Sequence, residues 1–157
     1  MTWYFINDEN LVPRALLDEK PRMVWINIAE NGHRLVVTRE LYAKYLEKLE
    51  QTAHKAASVD VASIVLAILR DIQVNSEMTI MYDVSGRPSP WRGIVRHMTD
   101  WFLADLAFEV TEAGVVPNLV LVTTDRATRR DFNRPELAQR NIQGVTIEGG
   151  LDLSRER

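Results

Sequence analysis

An uninterrupted apolar run that ends in two threonines and an aspartate constrains this chain more than any other feature. Residues 119–125 read LVLVTTD, and the basic segment RATRRDF follows directly. A short continuous apolar run predicts a strand buried on both faces, as in parallel sheets. Parallel strands deliver their last residues to the carboxyl edge of the sheet, where open α/β folds bind ligands. We therefore expect Asp125 at that edge, where it equally suits an N-cap for a helix beginning near Ala127.

Predicted strands alternate with predicted helices along the rest of the chain. The strands fall at residues 3–7, 33–38, 78–84, 119–125 and 145–148. The main helices fall at residues 11–19, 21–32, 39–51, 58–72 and 100–111, with short ones near 127 and 133. This alternation predicts an α/β fold with a mostly parallel central sheet. The length of 157 residues suits a single domain, which we place at residues 1–150, followed by a flexible C-terminal tail at 151–157.

The composition excludes several classes of site. The absence of cysteine rules out disulfides, thiolate zinc sites and cysteine nucleophiles. A net charge of −3 gives no overall basic field for coating nucleic acid, but it does not oppose a nuclease built from carboxylates. The longest apolar stretch, residues 61–69, is too short to span a bilayer, and the N-terminus lacks a signal-peptide pattern. We therefore expect a cytoplasmic protein with no membrane partner.

Three aspartates follow or flank elements that a parallel sheet would bring together. Asp8 follows the first strand, Asp125 follows the buried strand, and Asp100 begins a helix of small and apolar residues. Carboxylates about 4 Å apart repel by on the order of 1 kcal/mol in water-like surroundings, so a cluster of three must protonate or bind a cation. Oxygen ligands without His or Cys favour Mg²⁺ or Mn²⁺. Helix capping explains Asp125 equally well, and it is the preferred explanation of Asp8 taken alone. Asp105, about 140° from Asp100 around the helix, is expected to be solvated.

Five segments combine strand ends, acids and helix starts in an ordered set. They are FINDEN, HRLVVTRELYAKYL, DWFLADLAFE, LVTTD and VTIE, spread over residues 3–148. Their order is similar to that of the motifs in the PIN-domain family of metal-dependent ribonucleases. The chain resembles this family, which includes the toxins of many prokaryotic toxin–antitoxin pairs. The resemblance implies a three-layer α/β/α domain whose acids coordinate Mg²⁺ or Mn²⁺ for hydrolysis of RNA phosphodiester bonds. RNA is then the expected substrate, and an antitoxin protein and a second copy of the chain are the expected protein partners.

The resemblance assigns roles to individual residues. Asp8, Asp100 and Asp125 match the family's metal-ligand positions and are the expected catalytic residues. Asn10 and Thr123 match its supporting polar positions.

The second helix departs from the family pattern. Counting from Thr38, which opens that helix, the position of the family's usual glutamate holds Lys44. Glu40, one turn earlier on the same face, is the substitute catalytic acid. A lysine among the acids would alternatively neutralise them without metal, which would make the protein a catalytically degenerate binding or scaffold module.

Arginines near the acids suit contacts with substrate phosphates, because arginine binds phosphate through bidentate hydrogen bonds. We expect such contacts from Arg126, Arg129 and Arg130, and from Arg92 and Arg96, although solvated surface charge explains each of them equally well. A phosphatase or another hydrolase on a different doubly wound sheet remains a third hypothesis. The chain has neither a phosphoaspartyl motif nor a phosphate-binding glycine loop to support it.

Overall fold

Five short strands form the centre of the structure, a computed structural model that describes residues 1–157. They are β1 (Tyr4–Asn7), β2 (Arg34–Val37), β3 (Thr79–Met81), β4 (Leu119–Val122) and β5 (Ile142–Val145). All neighbours pair in parallel, in the order β3-β2-β1-β4-β5. Strands β1 and β4 are adjacent at the centre, and Asn7 is paired with Val122 at their carboxyl ends.

Eight α-helices connect and cover these strands. They are α1 (Leu11–Leu17), α2 (Glu19–Glu30), α3 (Arg39–Thr52), α4 (Val59–Val74), α5 (Trp101–Glu112), α6 (Arg126–Phe132), α7 (Pro135–Ala138) and α8 (Ile147–Arg155). The protein is therefore a three-layer α/β/α fold with an all-parallel sheet, which confirms the predicted fold class. No helix combines the length and the apolar character needed to cross a lipid bilayer.

Strand β4 is the most deeply buried strand. All four of its side chains are fully buried, as its continuous apolar run predicts. In β1, Phe5, Ile6 and Asn7 are also fully buried. Because both central strands are covered on both faces, the first positions at which polar side chains reach solvent lie beyond their carboxyl ends. The fold thus directs the polar residues after β1 and β4 to one edge of the sheet.

The C-terminal segment corrects two predictions. The strand expected at residues 145–148 ends at Val145, and the tail expected at 151–157 is helical as far as Arg155. The hydroxyl of Thr146 caps this helix by accepting a hydrogen bond from the N–H of Gly149 at 3.1 Å. Ser154 is buried against α2, where its Oγ accepts a hydrogen bond from Asn27 at 3.2 Å. Helix α8 is therefore held by tertiary packing against α2.

Helix α6 approaches the edge strand β5 closely at Gly144. A Cβ atom on Gly144 would lie 2.9 Å from the carbonyl oxygen of Arg129, so only glycine fits there. The side-chain amide of Asn133 accepts from the N–H of Gly144 at 3.0 Å and donates to its carbonyl at 2.9 Å. These contacts fix the position of α6, and with it the loop between β4 and α6 that carries Asp125.

Candidate functional site

The three predicted aspartates lie at the same carboxyl edge of the sheet. Asp8 follows β1, and its N–H donates to the carbonyl of Val122 at the end of β4, at 3.0 Å. Asp125 follows β4 by three residues, and Asp100 immediately precedes α5. Asp8 is buried, Asp100 is half-buried and Asp125 is exposed, so the three carboxylates extend from the sheet edge toward solvent.

Two threonine hydroxyls connect these acids. The hydroxyl of Thr123 donates to Asp8 Oδ2 at 2.7 Å and accepts from the N–H of Asp125 at 3.1 Å. The hydroxyl of Thr128 donates to Asp100 Oδ2, also at 2.7 Å. The backbone N–H of Thr128 donates to Asp125 Oδ1 at 3.1 Å. A continuous chain of hydrogen bonds therefore runs from Asp8 to Asp100 through Asp125.

Asp125 both caps helix α6 and lies at the carboxyl edge of the sheet, the two roles that its sequence position predicts. Its Oδ1 caps α6 by accepting hydrogen bonds from the N–H groups of Ala127 and Thr128, at 2.9 and 3.1 Å. Its other oxygen, Oδ2, has no hydrogen-bond partner within the protein, so one oxygen remains available for a ligand. Sequence analysis missed Thr128. Its position in the first turn of the helix that Asp125 caps is the signal that would have identified it.

The charge at this edge is not balanced by neighbouring cations. Burial raises the pKa of Asp8 above its ordinary value near 3.8, and the hydrogen bond from Thr123 only partly offsets this. The charges of Asp100 and Glu9 raise the pKa of Asp8 further. No Lys or Arg nitrogen lies within 4.0 Å of the carboxylates of Asp8, Asp100 or Asp125. Glu9, which directly follows Asp8, is thus a second contributor to the acidic edge that sequence analysis missed.

The donor set suits a hard divalent cation chemically, although it is not a closed coordination cage. No group of three or more His, Cys, Asp or Glu side chains lies close enough together to hold one ion. Mg²⁺ is usually held by one or two carboxylates and several waters, so it does not require such a group. Asp8 and Asp100, whose charges act on one another, are the pair that fits this mode of binding.

Glu40 and Lys44 are not part of the hydrogen-bonded chain of the three aspartates, although they lie near the residues on either side of Asp100. Both line a cavity of about 440 Å³ beside α5, together with Trp101 and Phe102. Glu40 is exposed and makes no hydrogen bond to any of the three aspartates. The Nζ of Lys44 lies 3.8 Å from the centre of the Phe102 ring and pairs with no carboxylate.

Asp105 is buried, which corrects the expectation that it is solvated. Only 6% of its surface is exposed, because the loop between β3 and α5 folds over this face of the helix. The carboxylate accepts the N–H of Ser89 at 2.9 Å and the guanidinium of Arg92, with Nη2 to Oδ2 at 2.5 Å. Burial acts to raise the pKa of Asp105, but these hydrogen bonds outweigh it and the pKa is lowered.

The remaining predicted site residues differ in position. Arg126 and Arg130 are exposed and have no acidic partner, whereas Arg129 is half-buried and donates from Nη1 to the carbonyl of Thr123 at 2.9 Å. Arg92 is not available for a phosphate, since Asp105 holds it. Asn10 is exposed and precedes α1 without a side-chain capping bond. Its backbone N–H donates a hydrogen bond to Asp8, which acts to lower the pKa of that carboxyl.

The Arg96 side chain is largely exposed, with its Nε 4.0 Å from Asp131 Oδ1. The backbone N–H of Arg96 donates to Asp131 Oδ2 at 3.2 Å. Arg96 is therefore associated with α6 through Asp131 and makes no contact with the three aspartates.

Comparison of the chain with protein-family models and with curated proteins gives no match. Among solved structures, the chain is similar to the crystal structure of PAE2754 from Pyrobaculum aerophilum. The TM-score is 0.51 and the sequence identity 16%, over 98% of each chain. At this identity the similarity supports the fold alone, and it agrees with the three-layer α/β/α arrangement described above.

Proposed function

We propose that the protein is a PIN-type endoribonuclease that hydrolyses RNA phosphodiester bonds with the help of Mg²⁺ or Mn²⁺. The observation that supports this proposal is the hydrogen-bonded chain of Asp8, Asp100 and Asp125, which has no neighbouring cation. Uncompensated carboxylates at the carboxyl edge of a parallel sheet are costly to the fold and suit the binding of a positive ion. The cytoplasm is the compartment in which we place this activity, and an antitoxin protein is the partner that would block it.

Each residue of the edge has a distinct role in this proposal. Asp8 and Asp100 would hold the ion, and the free Oδ2 of Asp125 would accept a proton or a hydrogen bond from the attacking water. The hydroxyls of Thr123 and Thr128 fix the orientation of Asp8 and Asp100, as outer-shell hydrogen bonds commonly do for carboxylate ligands. A bound divalent ion supplies a Lewis acid that polarises the phosphoryl oxygens and lowers the pKa of a coordinated water.

A second candidate function is a non-catalytic binding or scaffold module on the same fold. The observations that favour it are the use of Asp125 as a helix cap and the lack of three acids near one point. Lys44, the residue expected to replace the ion, does not support it, because its ammonium packs on Phe102.

Calorimetric titration with Mn²⁺ separates the two candidates. We expect the wild type to bind Mn²⁺, the Asp8→Asn variant to lose this binding, and the Asp71→Asn variant to keep it. Asp71 is a matched control because it is an exposed aspartate of α4, away from the sheet edge. Cleavage of a labelled RNA by the wild type in the presence of Mn²⁺, and not in EDTA, would then support the nuclease. The absence of Mn²⁺ binding in the wild type would favour the binding module.

A further inference from the structure

A polar cleft of about 580 Å³ borders the acidic edge at Thr123. Its walls come from α1, the junction of α1 with α2, the residues after β4, helix α6 and the start of α8. Only one of its eleven lining residues is hydrophobic, so the cleft is unsuited to an apolar ligand. Its lining residues are Arg14, Asp18, Glu19, Lys20, Pro21, Thr123, Thr124, Arg129, Thr146, Ile147 and Glu148.

The acids of the cleft lie at helix N-termini, and one of them forms an ion pair. Asp18 and Glu19 stand at the N-terminus of α2, where the helix dipole favours negative charge. Glu148 lies in the first turn of α8 and pairs with Lys20, with Nζ and Oε1 3.0 Å apart. One acid and one cation of the cleft are therefore paired with each other, and the dipole of α2 stabilises the charges of Asp18 and Glu19.

Two arginines of the cleft, Arg14 on α1 and Arg129 on α6, have no carboxylate partner. Neither Arg14 nor Arg129 has a carboxylate oxygen within 4.0 Å. Arg14 does not pair even with Asp18, which follows it by one helical turn. A guanidinium presents five N–H donors in a planar fork that matches a phosphate, and Arg129 uses only Nη1 within the protein. The cleft thus holds two unpaired cations beside polar hydroxyl groups.

Thr123 couples this cleft to the acidic edge. Its hydroxyl donates to Asp8, and its carbonyl accepts from Arg129. Asp8 and Arg129 are therefore both hydrogen-bonded to Thr123, so the cleft and the acidic edge share this residue. A substrate with successive phosphates along one backbone, such as RNA, could contact both.

We infer that this cleft binds an RNA backbone phosphate adjacent to the scissile phosphodiester, through the guanidinium groups of Arg14 and Arg129. This assignment rests on the proposed ribonuclease function and specifies which part of the substrate the cleft holds. Arg14 gives the cleaner test of the two arginines, because its side chain is exposed and makes no hydrogen bond within the protein.

The test is the binding of a fluorescently labelled single-stranded RNA in EDTA, followed by anisotropy at several salt concentrations. We expect Arg14→Gln and Arg129→Gln each to weaken binding by roughly three- to tenfold. The slope of log affinity against log salt should fall by about 0.7 for each lost phosphate contact. Arg70→Gln, at an exposed arginine of α4 outside the cleft, should match the wild type in affinity and in slope.

The outcomes separate this inference from the proposed function. If the wild type binds and cleaves RNA while both cleft variants bind with unchanged affinity and slope, the cleft assignment is overturned and the nuclease stands. If the wild type binds no RNA, both are overturned. If inorganic phosphate competes for the cleft but the variants keep full RNA affinity, the cleft is a site for free anions and the assignment also fails. Calorimetric Mn²⁺ affinity of Arg14→Gln should equal that of the wild type, because Arg14 does not touch the acidic edge.

Discussion

Helix α5 lies beside two acidic regions whose surroundings are opposite. Asp105 is buried against Arg92 and the N–H of Ser89, so its charge is satisfied by the protein and its pKa is lowered. At the acidic edge, burial raises the pKa of Asp8, and the charges of Asp100 and Glu9 raise it further, although the hydroxyl of Thr123 and the backbone of Asn10 donate hydrogen bonds to the carboxylate. An acid that the fold has paired stabilises the fold, whereas an acid that the fold has left unpaired is available to a ligand. Position in the sequence does not distinguish paired acids from unpaired ones, because Asp100 of the acidic edge precedes the paired Asp105 by only five residues.

The largest expected effect concerns catalysis at the acidic edge. Asp125→Asn should lower the rate of RNA cleavage by roughly a hundredfold or more, because it removes the charge of the free Oδ2. The fold should stay intact, since asparagine caps helices about as well as aspartate does. Single-turnover cleavage of a labelled RNA measures the rate, and thermal melting checks the fold. Full activity in the variant would remove Asp125 from the site.

Replacement of Asp105, the acid paired with Arg92, should lower the stability of the fold. Asp105→Ala should lower the free energy of unfolding by about 1–3 kcal/mol, because it leaves the guanidinium of Arg92 and the N–H of Ser89 without their partner. Urea denaturation measures this change, and Asp71→Ala serves as the exposed control, expected within about 0.5 kcal/mol of the wild type. A loss no greater than that of the control would place Asp105 among ordinary surface acids.

The pH dependence of the same pair follows from the lowered pKa. A carboxyl with a lower pKa in the folded state than in the unfolded chain stabilises the fold above its ordinary pKa near 3.8. That stabilisation is lost as the pH falls from there through the lowered folded value. The difference in unfolding free energy between the wild type and Asp105→Asn should therefore be constant near neutrality and shrink below about pH 4. A difference that grows on acidification would contradict the ion pair.

Replacement of Asp8, the unpaired acid, should change the free energy of unfolding in the opposite direction to replacement of Asp105. Without metal at pH 7, Asp8→Asn should raise the free energy of unfolding by on the order of 1 kcal/mol, because it removes a buried charge that faces Asp100 and Glu9. Saturating Mn²⁺ should stabilise the wild type and leave the variant unchanged, since a ligand that binds only the folded state stabilises it. Thermal melts with and without Mn²⁺ measure both effects. A destabilised variant in EDTA would mean that Asp8 supports the fold instead of straining it.

The smallest expected effect is at Lys44. Because its ammonium packs on Phe102 and pairs with no acid, Lys44→Met should change Mn²⁺ affinity by less than roughly threefold. A large gain in affinity would show that Lys44 competes with the ion, as the degenerate-module hypothesis requires.

The sequence predicted the sheet and its acidic edge because those features depend on local patterns. A four-residue apolar run such as that of β4 predicts a buried strand. The carboxyl ends of parallel strands lie at one edge of the sheet, whatever conformation the connecting loops adopt. The placement of Asp8 and Asp125 follows from these two facts. The partners of each acid could not be predicted in this way. Arg92 reaches Asp105 from an irregular loop thirteen residues earlier, and no periodicity reports such a contact.

Helix α8 escaped prediction because of its own composition. Gly149 and Gly150 lie in its first turn, and each glycine disfavours a helix by about 1 kcal/mol relative to alanine. The absence of a side chain at these glycines permits close packing. A Cβ atom on Gly150 would lie 2.8 Å from Val122 Cγ2, so the glycine lets the helix approach the end of β4. The packing against the sheet and α2 outweighs the local preference, and only the folded structure reports that packing.

The central position of β1 has a consequence for synthesis of the protein. Asp8 is translated 115 residues before Thr123, its hydrogen-bond partner. At ordinary rates of elongation this interval is on the order of ten seconds, during which β1 lacks its neighbour β4. Pairing between strands so distant in sequence is also slow to form. The nascent chain therefore carries Asp8 without an assembled acidic edge. The hydrogen bond between Asp8 and Thr123 can therefore form only after most of the chain has been synthesised.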